Sequence, residues 1–344
     1  MKVSIFDVAR QSGLSVVTVS RVINNAPSVR AKNRDKVLQA MKELGYHPSA
    51  AARSLARGRT GIIGLILATL QDSLFDAIVK EISDRLAEHG YFLALTVDTG
   101  ANGGAGRLIY EEDRVDGVIV LSPMQEDGYE QELLQKRIPY VLVDNQQPSP
   151  TAPSVVVNND KGGYEAARHL ISLGHRHIAH VAGPPEFLSS MERERGFVRA
   201  LDEAGLEPWR IERGGFDTET GYRVASSWIA AGELPGAVFA ADDHVALGII
   251  DACKNAGLRV PRDLSVVGFD DQFLATALRP ALTTVRQPAD QIARRAVELL
   301  LAAIGGETHE GSAVQVDPEL VVRESTAPPP AAEANDLTKE GERS

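Results

Sequence analysis

Residues 4–24 read S-I-F-D-V-A-R-Q-S-G-L-S-V-V-T-V-S-R-V-I-N. Ser4 with Asp7 three positions on is a capping-box start, and Ile5, Val8 and Ala9 form one apolar stripe at helical spacing. Gly13 supplies the tight turn into a second helix, and Ser15 is placed to cap it. On that helix Val19, Val22 and Ile23 face inward, while Val16, Val17 and Arg21 share the outward face. A third helix, about Ala31 to Leu44, brings Val37, Met41 and Leu44 to close a small core. The pattern predicts a helix-turn-helix whose second helix presents its N-terminal end to base edges in a DNA major groove.

Charge points the same way. Residues 1–60 hold eleven Lys/Arg against three acids, a net of +8, while the whole chain carries −11, leaving −19 on residues 61–344. A basic head on an acidic body is the asymmetry expected when only one end meets phosphate. The acidic body is repelled by DNA, so wrong docking is costly.

These residues carry a family resemblance. D-V-A-R-Q-S-G-L-S from Asp7, T-V-S-R-V-I-N from Thr18, K-E-L-G-Y-H-P-S-A-A-A-R-S-L-A from Lys42 and R-T-G-I-I-G-L-I from Arg59 resemble the lactose-repressor-type bacterial regulators, over about residues 3 to 327. The resemblance implies a homodimeric, cytoplasmic repressor on a palindromic double-stranded operator. Its DNA-facing set is Ser15, Val16, Val17, Thr18, Ser20, Arg21 and Asn24, with Ala52, Arg53 and Leu55 from a short hinge helix in the minor groove. Leu55 is then the wedge at the central base step, flanked by Arg53, Arg57 and Arg59. Arginine can bond guanine bidentately, whereas the wholly apolar pair Val16-Val17 offers only contacts such as a thymine methyl.

The chain divides accordingly into a head (1–47), a hinge helix and linker (48–61), a bilobed body (62–326) and a Pro/Ala/charge-rich tail (327–344) read as disordered. From Ile62 onward, buried apolar strands alternate with amphipathic helices, which implies an α/β class with doubly wound parallel sheets in two similar lobes. The crossing lies near Val155–Asp160, and the helix Asp290–Ala303 is expected to cross back to the first lobe. The resemblance adds the likeness of the body to periplasmic sugar-binding proteins.

Ligands in such folds sit outside the carboxyl ends of the strands. The resemblance assigns effector contacts there to Phe75, Ser122, Asp144, Asp160, Arg193, Phe216, Asp242 and Asp270. Arg193 can donate a fork of hydrogen bonds to adjacent hydroxyls, Asp270 can accept, and Phe75 and Phe216 can stack on a sugar ring. Strand-end aspartates such as Asp160 and Asp242 also commonly cap the next helix. Asp72-Ser73-Leu74 stands where the family has Asn-Pro-Phe, and Asp242 replaces a common asparagine. The extra carboxylate disfavours an anionic effector and points to a neutral sugar or glycoside. The alternatives are a co-repressor-dependent regulator with a non-sugar effector, and a sugar-binding transport component. The lack of a signal peptide and the basic head oppose the transport reading.

An enzyme is not expected. Asp270 and Asp271 are chain neighbours, not carboxylates converging on a scissile bond. G-A-N-G-G-A-G at Gly100 lacks the phosphate-loop ending, and His175 and His177 have no metal-ligand spacing. No cofactor or metal is implied, no run reaches membrane-span length, and the single Cys253 sits in a helical pattern as a small hydrophobe. The tail lacks the apolar heptads of a tetramerising coiled coil.

Overall fold

The computed structural model describes residues 3–24, 26–46, 59–67, 73–98, 106–111, 114–122, 126–146, 152–307, 311 and 313–330. The hinge helix with Ala52, Arg53 and Leu55 lies outside the described residues, as does the tail beyond 330.

The head is three helices: α1 (Ile5–Ser12), α2 (Val16–Ile23) and α3 (Ala31–Leu44). Asp7 accepts from the Ser4 N–H at 3.0 Å and from its hydroxyl at 2.7 Å, fixing the start of α1. Gly13 takes φ +68°, the left-handed turn anticipated between the helices. Val8, Val19, Val22, Val37 and Ala40 form the buried core, with Ile5, Leu14, Val16, Ile23, Met41 and Leu44 packed around it.

The first lobe is built from β1 (Ile62–Leu67), α4 (Ser73–Glu88), β2 (Phe92–Val97), β3 (Gly117–Leu121), α5 (Glu126–Gln135), β4 (Tyr140–Val143) and β5 (Ser154–Val157). The second holds α6 (Asn159–Ser172), β6 (Ile178–Ala182), α7 (Leu188–Glu203), β7 (Arg210–Arg213), α8 (Thr218–Ala231), β8 (Ala237–Ala240), α9 (Asp243–Asn255), β9 (Ser265–Asp270), α10 (Phe273–Ala277) and β10 (Thr283–Arg286). The chain then recrosses. α11 (Ala289–Ile304) packs Ile292, Ala293, Ala296, Val297 and Leu300 into the first lobe's core. β11 (Ala313–Val316) joins the first sheet, and β12 (Glu319–Val321) returns to the second.

The sheets run β11-β5-β4-β3-β1-β2 and β12-β10-β9-β8-β6-β7. All pairings are parallel except β10 with β12, which is antiparallel. The two orders are the same doubly wound plan used twice, as the repeated β-α rhythm predicts. The alternation of apolar strands and helices read from Ile62 onward is the pattern of the body, and the helix expected over Asp290–Ala303 is α11, which recrosses to the first lobe. β7, β10, β11 and β12 are not signalled by the sequence pattern, although β10 is mostly buried.

In the second lobe the helix pairs α6–α7 and α8–α9 meet backbone to backbone. A Cβ added at Gly163 would overlap the Arg193 carbonyl, and one at Gly196 the Asp160 carbonyl. Gly221 and Gly248 stand in the same relation to the carbonyls of Val245 and Thr218. Only glycine permits that approach.

Candidate DNA interface and effector site

Ser15 caps α2, its hydroxyl accepting from the Thr18 N–H at 3.2 Å and lying 2.9 Å from the Thr18 hydroxyl. Val17 is 62% exposed and Arg21 is exposed, so both are presented outward on α2. Val16 is half-buried against the head's core and does not share that face as fully as the sequence reading placed it. Ser20 and Asn24 are half-buried, Asn24 closing the helix with its N–H on the Ser20 carbonyl. Among the described residues of the predicted DNA-facing set, Ser15, Val17 and Arg21 are the exposed ones.

In the body, polar side chains converge where strands of both sheets end. Ser122 follows β3, Asp144 follows β4, and Asp270 closes β9. Their φ values are +46°, +53° and +100°, and Asp271 beside Asp270 is at +54°. Left-handed backbone at non-glycine residues is costly and persists where surroundings over-determine it; such strain collects at binding sites. Asp271 is held by Arg323 at 2.6 Å and Arg286 at 2.7 Å, which anchors the turn presenting Asp270.

Arg193 is the hub. It is 5% exposed on α7, its guanidinium carbon 3.7 Å from the Phe269 ring centroid and 5.9 Å from that of Phe216. Its Nε donates to Asn159 Oδ1 at 2.9 Å and Nη1 to the Ala241 carbonyl at 2.7 Å. Nη2 donates to Asp270 Oδ1 at 3.5 Å. Asp270 also accepts from Gln287 at 2.6 Å and Gln272 at 3.5 Å.

Asp144 comes to this cluster from the other lobe. Burial pushes its carboxyl up to about 6, against the pull of the Arg193 charge and the Ser122 hydroxyl, with Asp270 adding repulsion. Asp243, fully buried, accepts from Thr284 at 2.6 Å and the Gln272 N–H at 2.7 Å. Burial and the neighbouring Asp270 charge drive its carboxyl well above the usual range.

The remaining predicted residues divide. Phe216 belongs with Arg193 and packs edge-on against Phe187 at 5.5 Å. Phe75 is half-buried against the first lobe's core. Asp242 caps α9, accepting from the Val245 N–H at 2.7 Å, while its neighbour Ala241 receives Arg193. Asp160 turns away from the cluster to Arg195 and Arg199. Burial opposes its ionisation, but those two hydrogen-bonded arginines hold the carboxyl below its ordinary value. Asn159 occupies the place the sequence reading gave to Asp160, being one residue earlier at the start of α6. Gln287, Gln272 and Asp243 also escaped that reading. Gln287 was hidden because the strand before it was not recognised.

Among the described residues, no group of three or more His, Cys, Asp or Glu is placed to hold a metal ion, and no helix is long and apolar enough to cross a membrane.

Comparison with known proteins agrees with this architecture. Residues 4–49 match the family model for bacterial regulatory proteins of the lacI family, and residues 167–326 match the periplasmic binding protein-like domain. Catabolite control protein A of Priestia megaterium is 33% identical over 332 residues, covering 95% of this chain and 100% of that protein. The HTH-type transcriptional repressor PurR of Vibrio parahaemolyticus is 36% identical, covering 93% and 97%. The Lac repressor dimer bound to operator and the anti-inducer ONPF superposes with a TM-score of 0.85 at 30% identity, covering 95% and 100%. The transcriptional regulator CelR in complex with cellobiose gives 0.71 at 32%, covering 94% and 100%. Regulators of this kind bind DNA and are not enzymes. The chain belongs to the lacI family of bacterial regulatory proteins, with a helix-turn-helix head on two periplasmic-binding-type lobes, and is a DNA-binding transcriptional repressor.

Proposed function

We propose that this repressor governs a carbohydrate-use operon and is released from a palindromic operator when a small neutral sugar or glycoside binds between its lobes. The observation that carries the effector class is the Arg193–Asp270 cluster. Arg193 uses three of a guanidinium's five N–H donors on protein, which leaves two for a ligand. Beside that cation stand Asp270, 3.5 Å from Nη2, and Asp144, whose carboxyl feels its charge; these acceptors suit hydroxyl donors and disfavour an anion. The Phe216 face beside it suits the apolar side of a sugar ring. The CelR relative is recorded with cellobiose, a precedent for a sugar on this scaffold.

Dimerisation follows from the same reading. β2 is an edge strand with Phe92 78% exposed, and Phe273 on the second lobe is 79% exposed. An exposed aromatic on an edge strand, as Phe92 is, and a second at the start of α10, as Phe273 is, call for a covering surface. A two-fold copy would cover them and would set two heads, with their Leu55 hinges, over two half-sites. The Lac repressor relative is a dimer on its operator.

The test begins with selection of an operator from random DNA by the full-length protein. Operator binding is then titrated against neutral sugars and glycosides, with purine bases and sugar phosphates as contrasting classes. A neutral sugar should release the wild type, while Arg193→Ala should bind operator and ignore the sugar. Release by an anionic or purine ligand alone, or a tightening of operator binding by the sugar, would overturn the proposed effector class or its sign. An Arg193→Ala variant as responsive as wild type would overturn the site.

A further inference from the structure

The helix that carries Arg193 starts without a cap of its own. Phe187 stands at the N-cap position of α7, and its side chain has no oxygen to accept from the first-turn N–H groups. That acceptor comes from the opposite lobe. Gln146, in the segment after β4, places Oε1 3.3 Å from the Ser189 N and 3.1 Å from the Ser189 Oγ. Its Nε2 donates to the Asp144 carbonyl at 2.8 Å. The amide orientation is fixed, because the Ser189 N–H can only donate and the Asp144 carbonyl can only accept. Gln146 and Ser189 are both buried, and the amide also donates to the Asp144 carboxyl.

We infer that Gln146 is the N-cap of α7 supplied across the lobe boundary, a positioning residue that couples lobe separation to the helix bearing Arg193. Parting of the lobes removes the acceptor and leaves the Ser189 N–H without its partner. The first turn of α7, four residues before Arg193, then loosens. Closure restores the cap and stiffens the guanidinium's platform, so the geometry of Arg193 depends on the relation of the lobes before any ligand arrives. The inference rests on reading the cluster between the lobes as the effector site. Its test needs neither effector nor DNA, so failure of the sugar reading leaves the measurement intact.

Hydrogen exchange is measured by mass spectrometry on the full-length protein, following peptides that cover residues 186–193, β3 and β8. Gln146→Ala should speed exchange in 186–193 about tenfold, the effect of losing one buried capping interaction. The strands β3 and β8 should exchange as in wild type. Gln146→Leu, which keeps volume but has no acceptor, should match Gln146→Ala. Protection equal to wild type in both variants would overturn the inference. So would protection restored by Leu, which would make the contact mere packing, or acceleration spread equally over β3 and β8.

Discussion

Arg21 and Asp144 are the two side chains whose chemistry makes the sharpest claims. Arg21 stands exposed on α2 with Val17, while Val19 and Val22 of the same helix are buried in the head's core. Arg21→Ala should cost about 1–3 kcal/mol per half-site and relax preference at one operator position, read by repeating the selection with the variant. Unchanged affinity and preference would refute the docking. Asp144, with its carboxyl raised from 3.8 to about 6, makes a claim about pH. As pH rises past 4 the unfolded chain ionises first, so folding stability falls until the folded group ionises near 6 and is level above that. Asp144→Asn removes this loss. Its stability advantage over wild type should be absent near pH 4, grow between 4 and 6 and hold at pH 8, as followed by chemical denaturation across that range. At this scale residue type was legible but orientation was not. Asp160 and Asn159 are adjacent, and only the phase of α6 decides that the asparagine meets Arg193 while the aspartate meets Arg195 and Arg199. Val16 and Val17 pose the same problem on α2, where one helical step separates core from solvent.

Elements were legible where one period dominated. The strands β1, β3 and β4 are unbroken apolar runs bounded by polar turns, and α11 has a sustained helical stripe, so each announces itself. β7 reads R-I-E-R and β12 only E-L-V, too short and polar for a period to emerge; their neighbours make them strands. Glycine pairing between helices is likewise invisible in a single sequence, since Gly163 and Gly196 look like ordinary helix weakeners. In the fold they let α6 and α7 touch, with Gly163 under the Arg193 carbonyl and Gly196 under that of Asp160. Gly196→Ala must push the helices apart and should cost about 1–3 kcal/mol by overpacking. Because α7 carries Arg193, effector affinity should fall beyond what the lost stability explains. Denaturant titration set beside effector titration separates the two, and a variant as stable as wild type would contradict the packing described.

At the scale of the whole molecule, charge asymmetry and bilobed rhythm were both plain in the sequence, whereas the assembly surface was not, because an exposed phenylalanine on an edge strand reads like a buried one. Phe92→Glu should shift sedimentation at micromolar concentration from dimer to monomer and weaken operator binding, with secondary structure unchanged. A persistent dimer would move the interface away from β2. The threefold passage of the chain between lobes, after β5, after β10 and after β11, also bears on how the molecule is made. The head's helices are contiguous and can form as soon as residues 4–46 leave the ribosome. The first lobe lacks α11 and its edge strand β11 until residue 316 is synthesised, and the second lacks β12 until residue 321. A nascent chain therefore exposes its DNA-reading end well before either lobe can close. The two lobes are therefore completed within a few residues of each other, and neither can close before the other is nearly made.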